Sequence, residues 1–226
     1  MTTAAPPQRQ HVSSVTPTPR RVRWGDDFLA TLGNVPIERV VFDPPPNTVT
    51  GEYYDAIDGR VDGILVELVG RTLVRKPMGM DESRIGMNFG IAVGPHVRKH
   101  KLGFVAGADG TVRMSQGNRR MPDVAVYLKA DYPDGKRPTQ KVPSLPPRLT
   151  VEVLSEDNTA AEIDMKLHEY FASGCLLAYV IDPKTKTARR HTSAREFTEI
   201  AADGELDGGD VLPGWSVPFA ELFDEE

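Results

Sequence analysis

LTVEVLSEDNTAAEIDMKLHEYFASGCLLAYVID, residues 149–182, is the stretch of the chain that decides its fold. The run LTVEVLS predicts a β-strand, NTAAEIDMKLHEYFASG predicts a helix that ends at Gly174, and CLLAYVID predicts a buried strand. A strand, a helix and a second strand in this order form a βαβ crossover with parallel strands. We therefore predict an α/β fold that contains a parallel strand pair.

The first strand of this unit carries an acidic residue where an apolar one is expected. Leu149, Val151 and Val153 share one face of the strand, and Glu152 lies on the other face between the two valines. A carboxylate in a central strand is costly to bury unless a cation or hydrogen bonds accompany it. Glu152 is thus a candidate site residue, and a structural acid held in an ion pair is the alternative interpretation.

A second acid interrupts the apolar stretch MPDVAVYL, residues 121–128. This residue, Asp123, follows Pro122, so a turn or strand-edge position is the alternative interpretation. Two carboxylates on neighbouring strands would form a hard-oxygen site suited to Mg²⁺ or Mn²⁺. Asp123 and Glu152 are therefore candidate ligands of one divalent cation.

The helix of the βαβ unit contributes a candidate cation. Ile163, Leu167 and Tyr170 form its apolar stripe, and Lys166 lies at the margin of that stripe. From there its ammonium can reach over the sheet toward Glu152 and help a metal to stabilise charge on a phosphate. The alternative is a solvated ladder of ion pairs along an exposed helix face. The members of that ladder would be Glu162, Lys166 and Glu169.

The remaining elements are predicted from periodicity and turn residues. They are a short helix near 26–32, a hairpin formed by 63–69 and 71–76, a helix from about 81 to 97, two strands within 104–128 with turns at 108–110 and 116–118, a proline-rich loop at 133–147, a hairpin formed by KTKTARRHT and the segment near Phe197, and the apolar C-terminal segment LPGWSVPFAELF. Glycines at 86, 90 and 94 weaken the helix prediction, since each costs about 1 kcal/mol relative to alanine in a helix interior.

Composition and charge narrow the class of protein. A content of 39% hydrophobic and 26% charged residues is typical of a globular domain. No run approaches the roughly 18 apolar residues of a membrane span, so no membrane partner is expected. Cys175 is the only cysteine, which excludes an internal disulfide and fits a reducing cytoplasm. The formal net charge of -5 argues against a passive nucleic-acid coat but is compatible with a carboxylate-rich metal site.

Domain organisation follows from the distribution of proline and polar residues. Residues 1–22 are rich in Pro and Thr and predict a flexible tail. The stretch 23–52 is interpreted as a lead-in segment, because FDPPPNTVT within it is a stiff, proline-punctuated connection. Residues 53–226 are predicted to form the domain itself.

With these features in view, the sequence resembles the Uma-two family of “putative restriction endonucleases”, part of the PD-(D/E)xK nuclease superfamily. The matching stretches run in the family's order from about residue 33, and RRMPDVAVYL and VEVLSEDNT are the specific ones. They are VPIERVVFDPPPNTVT, RKPMGMDES, RRMPDVAVYL, LTVEVLSEDNTAAEIDMKLHEYFASGCLLAYVIDP and GGDVLPGWSVPFAELF. The resemblance implies a restriction-endonuclease-like fold of the mixed α+β kind, in which helices flank a central mixed β-sheet.

The resemblance also implies roles for individual residues. Asp123 and Glu152 take the positions of the motif acids, both as metal ligands. The superfamily's usual lysine stands two residues after the glutamate, where this chain has Leu154. In this family the lysine is on the following helix, which indicates Lys166. The swap works only if the helix places the ammonium where the strand lysine would have been.

Two further acids are implied as members of the site. Glu82 precedes the first long helix, where many nucleases of this type place an acid, and Glu67 matches a glutamate of the family's first hairpin. The alternative role for Glu82 is stabilisation of the helix N-terminus through the helix dipole. Together these residues predict a Mg²⁺- or Mn²⁺-dependent endonuclease.

The expected partner is nucleic acid, and double-stranded DNA is the expected form. Arg119, Arg120 and Arg148 are candidate contacts to a phosphate backbone, with ordinary surface charge as the alternative. Nucleases that cut both strands are often dimers, so a homodimer is a further expectation.

Departures from the family's pattern leave a second function open. The family's hairpin usually reads like ELVDG followed by LVEK, whereas ELVGR and LVRK put Gly70 and Arg75 at its acidic positions. This chain could therefore be a catalytically weakened protein that keeps the nuclease fold as a DNA-binding or regulatory module.

Overall fold

The βαβ unit predicted at 149–182 is present in the computed structural model, which describes residues 25–224. Strand β8 (Leu149–Val153) leads into helix α4 (Ala160–Ala172) and strand β9 (Leu177–Asp182). The two strands pair in parallel, with Val151 opposite Tyr179. The side chain of Thr159 caps α4 by accepting a hydrogen bond from the backbone N–H of Glu162. The predicted tail, residues 1–22, lies outside the described residues.

Three further α-helices and eleven further strands complete the described chain. The helices are α1 (Asp26–Ala30), α2 (Gly51–Ala56) and α3 (Met80–Lys99). The strands are β1 (Arg60–Val61), β2 (Ile64–Val69), β3 (Thr72–Arg75), β4 (Gly103–Ala106), β5 (Val112–Arg113), β6 (Arg119–Arg120), β7 (Val124–Leu128), β10 (Thr187–His191), β11 (Phe197–Ile200), β12 (Glu205–Asp207) and β13 (Ser216–Pro218). Short 3-10 turns cover Ile37–Arg39, Lys129–Asp131, Pro133–Gly135 and Phe219–Phe223.

The central sheet is mixed, as the sequence predicts. Its six strands lie in the order β11-β10-β9-β8-β7-β4, and the β8–β9 pair is parallel while the other pairs are antiparallel. A smaller sheet has the order β1-β2-β6-β5, with β3 paired to β2 on the hairpin side. The segment 104–128, predicted to hold two strands, contains four, because the chain leaves the central sheet after β4, forms β5 and β6 in the smaller sheet, and returns as β7. Both predicted turns, near 108 and 116, are present.

Helices cover both faces of the central sheet. Helix α3 buries Ile85, Phe89 and Val93 against one face, so its apolar spacing outweighs its three glycines. Helix α4 buries Ile163 and Leu167 against the other face. Within residues 25–224, none of the helices combines the length and apolarity needed to cross a bilayer.

The lead-in segment is part of the folded unit, which corrects the boundary predicted at residue 53. Helix α2 crosses that boundary, and Phe28, Leu32 and Val40 pack with Val69 and Val74 of the smaller sheet in one apolar cluster. The physical reason is that the lead-in, together with Met165 of α4, buries apolar residues of the first hairpin. Periodicity does not show this, because the residues involved are separated by prolines and turns.

Gly103 marks the closest approach of two backbones in the central sheet. A β-carbon added at this position would lie 1.8 Å from the carbonyl oxygen of Tyr127 on β7. We expect Gly103→Ala to lower the free energy of unfolding by about 3 kcal/mol, because β4 must move away from β7 to accept the methyl group. Urea unfolding followed by circular dichroism measures this. Gly107→Ala is the control, since that β-carbon meets open space; equal midpoints for the two variants would contradict the expectation.

Candidate active site

Asp123 and Glu152 come together because β7 and β8 are paired. The last register pair is Val124 with Val151, and Asp123 directly precedes β7 beside the end of β8, which carries Glu152. The backbone N–H of Asp123 donates to the carbonyl of Val151, and Asp123 Oδ2 accepts from the backbone N–H of Val153 at 2.7 Å. Asp123 thus stands immediately before a strand, at the end of the ladder, with its carboxylate fixed by the neighbouring strand.

Lys166 reaches Glu152 from α4. Its Nζ lies 2.9 Å from Glu152 Oε2 and 3.2 Å from Glu67 Oε1. The hydroxyl of Tyr170, one turn further along α4, donates to the other oxygen of Glu152. Lys166 is 1% exposed, so it lies beneath the helix and not at the margin of its apolar stripe. The alternative of a solvated ion-pair ladder is wrong for α4, since its three proposed members are all buried. They are Glu162, Lys166 and Glu169.

Glu67 belongs to a buried ion network rather than to an open ligand set. Its Oε1 accepts from the backbone N–H of Met121 and faces Lys166, while its Oε2 accepts from Arg120 at 3.0 Å. Arg120 continues the network to Glu169, at 2.6 Å. The chain of charges from Glu169 to Glu152 is almost completely enclosed. This placement does not support the metal-ligand role predicted for Glu67; it supports a role in holding Lys166.

The three arginines predicted to contact a phosphate backbone are engaged within the protein. Arg120 is 1% exposed, and its guanidinium donates hydrogen bonds to the carboxylates of Glu67 and Glu169. Arg119 is also buried, against Asp55, and only Arg148 keeps a partly exposed side chain, paired with Asp131 at 2.6 Å. The prediction is therefore wrong for Arg120 in this conformation, because a phosphate cannot reach a guanidinium that is enclosed by the fold.

Lys76 is a member of the site that sequence reasoning missed. Its Nζ lies 2.9 Å from Asp123 Oδ1 and donates to the backbone carbonyls of Ala108 and Met121 at 2.9 and 2.7 Å. The side chain is 3% exposed. The sequence offered only a weak signal, a lysine that ends the apolar strand TLVR just before Pro77. Its partner is more than forty positions away in the chain, so spacing could not reveal the pair.

Asp123 is the acid of the site that faces open space. It forms part of the wall of a groove of about 590 Å³ between α3 and β4, which Glu82 and Gly86 also line. The carboxylate of Glu82 folds back over Gly79, the residue before α3: a β-carbon on Gly79 would lie 2.0 Å from Glu82 Oε2. Glu82 therefore shares the groove with Asp123, and its position at the helix start favours the helix-dipole alternative.

Burial and neighbouring charges shift the acids in opposite directions. Burial raises the pKa of Glu152, the nearby carboxylates of Asp123 and Glu67 raise it further, and Lys166 only partly opposes them. Burial would also raise the pKa of Glu67, but Lys166 and Arg120 outweigh it and lower that pKa to about 2. The pKa of Lys166 is raised: burial lowers it, and the two glutamates more than compensate. Glu67 and Lys166 are thus firmly charged.

A hard divalent cation fits the chemistry of Asp123 and Glu152. Over the part of the chain that the structure describes, no three His, Cys, Asp or Glu side chains gather into a ready metal site. Mg²⁺, however, is commonly held by one or two carboxylates together with water and substrate phosphate. Burial is the main reason that the pKa of Glu152 is raised, the carboxylates of Asp123 and Glu67 add to this effect, and a cation would relieve their repulsion. A carboxylate also accepts about four hydrogen bonds, so the contacts present leave room for a metal.

The two departures from the family's hairpin pattern lie away from this cluster. Gly70 is exposed at the turn between β2 and β3, where its φ is +52° and its N–H donates to the side chain of Asn118. Arg75 is exposed, and its guanidinium donates to the carbonyl of Glu38. Neither side chain has a contact with Asp123 or Glu152 among the described interactions, so these substitutions leave the cluster itself intact.

A family model covers most of this chain. The model of the Uma2 family, described as “Putative restriction endonuclease”, matches residues 52–220. The chain belongs to the Uma2 family. The matched region contains the acids and both lysines of the cluster, so the resemblance seen in the sequence is confirmed.

A solved structure supports the fold. The chain is similar to “a putative nuclease belonging to DUF820 from Anabaena variabilis ATCC 29413”, with a TM-score of 0.65 and 15% sequence identity. The alignment covers 77% of this chain and 97% of that one. The similarity confirms the restriction-endonuclease-like fold that the Uma2 resemblance implies. No curated protein matches the sequence.

The lowered pKa of Glu67 predicts how stability depends on pH. The folded-state pKa of about 2 lies below the ordinary value of 4.5 for a glutamate. The ionised carboxylate therefore stabilises the fold fully above about pH 4.5, and this stabilisation is lost as the pH falls from 4.5 toward 2. We expect Glu67→Gln to destabilise the protein by roughly 3–5 kcal/mol at neutral pH, since Lys166 and Arg120 lose a shared partner. The difference from wild type should shrink below about pH 4.5.

Denaturant unfolding at a series of pH values measures this difference. Glu196→Gln is the matched control, because it neutralises an exposed glutamate on the loop before β11 and should leave the stability curve unchanged. If the difference in the free energy of unfolding between wild type and Glu67→Gln is constant across the acidic range, the carboxylate does not act through its charge.

Proposed function

We propose that this chain is a Mg²⁺- or Mn²⁺-dependent endodeoxyribonuclease whose site is built on Asp123, Glu152 and Lys166. The observation that carries the proposal is that Asp123, hydrogen-bonded to the backbone of β8, lies near enough to Glu152 for its charge to raise the pKa of that acid, while the ammonium of Lys166 lies 2.9 Å from Glu152. Membership of the Uma2 family supports a nuclease, and the fold is that of restriction endonucleases. The identity of the metal, the site residues and the choice of DNA are parts of the proposal.

In this mechanism Asp123 and Glu152 would hold the divalent cation, with Glu82 as a further acid in the groove. When bound, such a cation polarises a phosphoryl oxygen and lowers the pKa of water. Lys166 has three N–H donors, of which two face Glu152 and Glu67. Lys166 is as enclosed as Arg120, so in this conformation it would act through Glu152, whose carboxylate it holds in place beside the cation.

The buried network acts as support for these groups. Tyr170 fixes one oxygen of Glu152, and Glu67 fixes Lys166 from the side opposite to that acid. Because all of these side chains are enclosed, they do not need to reorganise as the reaction proceeds. The network therefore sets the ammonium and the carboxylate in place before substrate arrives.

Double-stranded DNA is the substrate we propose. Asp123 is the point at which the cluster opens to a groove, so the scissile phosphate would approach from this side. Since one chain offers one such site, cleavage of both strands would use two copies of the chain. Arg148 remains the candidate backbone contact, because its side chain is partly exposed.

Cleavage of supercoiled plasmid with Mg²⁺ or Mn²⁺ tests the proposed chemistry. We expect Asp123→Asn and Lys166→Met each to lower the rate by a factor of roughly 10²–10⁴, the usual cost of removing a metal ligand or a charge-stabilising group. Asp164→Asn is the matched control, because it neutralises an exposed acid on the same helix as Lys166. Equal nicking by all four proteins would show a contaminating nuclease and refute the assignment.

One observation favours a second function, a binding module that keeps the nuclease fold without cleavage. Every carboxylate oxygen of Asp123 and Glu152 already accepts from a protein donor. If these donors outcompete a divalent ion for the carboxylate oxygens, the acids take up no metal. Calorimetric titration separates the two functions: Mn²⁺ binding that Asp123→Asn abolishes supports the nuclease, whereas duplex binding without any Mn²⁺ binding supports the module.

A further inference from the structure

Asp123 has its own cation, distinct from the lysine of the proposed catalytic set. The ammonium of Lys166 contacts Glu152 and Glu67, and its described contacts do not include Asp123. The carboxylate of Asp123 instead meets Lys76 at 2.9 Å. The two acids beside the β7–β8 pair thus contact two different lysines: Glu152 contacts Lys166 of α4, and Asp123 contacts Lys76, the residue after β3.

Lys76 is held in place by the backbone. An ammonium has three N–H donors, and the three acceptors around Lys76 are the Asp123 carboxylate and the carbonyls of Ala108 and Met121. The two carbonyls belong to the turn after β4 and to the strand end before Pro122. If the side chain of Asp123 turned away, the two contacts to the carbonyls would remain. The ammonium of Lys76 would therefore keep its position.

The lysine and its acid differ in access to the groove. The side chain of Lys76 is 3% exposed, whereas that of Asp123 is 11% exposed and forms part of the groove wall. A cation that enters from the groove would therefore meet Asp123 with a fixed ammonium already behind it. Since all three donors of Lys76 are used, the residue has none left for a substrate phosphate.

We propose that Lys76 is a positioning residue that acts as the built-in counter-cation of Asp123: it orients the carboxylate in the metal-free protein and sets the affinity of the site for a divalent ion. This inference rests on the proposed function, because it assigns a metal to Asp123. The ammonium of Lys76 and a metal ion would both contact the carboxylate of Asp123. Each is attracted to that carboxylate, but the two positive charges repel each other. Lys76 thereby keeps metal binding weak until substrate phosphate adds negative charge.

The size of the effect follows from Coulomb's law. A single and a double positive charge about 5 Å apart repel enough, even when screened as in water, to weaken binding by at least about tenfold. Removal of the charge should therefore tighten metal binding, which is the opposite of what loss of a merely structural residue would do. A structural lysine would leave the affinity unchanged or, by loosening Asp123, reduce it.

Calorimetric titration of the full chain with Mn²⁺ tests whether removal of the Lys76 charge tightens or weakens metal binding. We expect Lys76→Met and Lys76→Gln to bind Mn²⁺ at least about tenfold more tightly than wild type, and the Mn²⁺ concentration for half-maximal plasmid cleavage to fall in parallel. Glutamine keeps a neutral donor near the carbonyls, so it guards against loss of folding in the methionine variant. Lys141→Met is the matched control: it removes an exposed lysine that pairs with Asp58, and should bind Mn²⁺ like wild type.

Each outcome decides the inference. Equal or weaker Mn²⁺ binding by both neutral variants, with folding verified by circular dichroism, overturns it while leaving the nuclease proposal standing if the wild type cleaves DNA. Mn²⁺ binding by the neutral variants but not by the wild type supports the inference, even if the wild type does not cleave DNA. If neither neutral variant folds, Lys76→Arg decides: the retained charge should keep the wild-type affinity, and a tenfold tighter site would refute the proposal.

Discussion

The structure depends on one buried ammonium. Lys166 of α4 holds Glu152 of the central sheet and Glu67 of the smaller sheet within 3.2 Å, and Arg120 extends the same network to Glu169. Burial of an isolated charge costs several kcal/mol, and removal of one member of a buried pair leaves its partner uncompensated. Each charge in the network therefore requires the others, and the two sheets and α4 must come together for any of them to be tolerated inside the protein.

The lead-in segment applies the same principle at the start of α4. Arg39 places its guanidinium 2.6 and 2.8 Å from the two oxygens of Glu162 and also donates to the carbonyl of Asp157. Gly33 packs directly on the backbone of Glu162, an approach that a larger residue would prevent. The segment before the first hairpin thus fixes the helix that carries Lys166. Residues that look like a connection in the sequence are part of the frame of the site.

The cluster has an enclosed half and an open half. Glu152, Lys166 and their supports lie in the interior, where fixed charges interact strongly and need no reorganisation. Asp123 stands at the end of the β7–β8 ladder, where the sheet gives way to the groove beside α3. In this arrangement a large, charged substrate would meet the interior network at a single carboxylate, that of Asp123. Lys76 contacts this carboxylate from the interior and therefore affects the chemistry on the groove side.

The sequence by itself determined the elements whose signals are local. The βαβ unit and α3 follow from the periodicity of apolar residues, the two acids are conspicuous because they interrupt apolar stretches, and the family motifs indicate Lys166. Only the tertiary structure shows that Lys76 contacts Asp123 and that the lead-in segment belongs to the core. It also pairs Glu67 with Arg120 in the interior, whereas the sequence predicts a metal ligand at Glu67 and a phosphate contact at Arg120. Contacts of this kind join residues far apart in the chain, and their energy depends on burial, which no local pattern encodes.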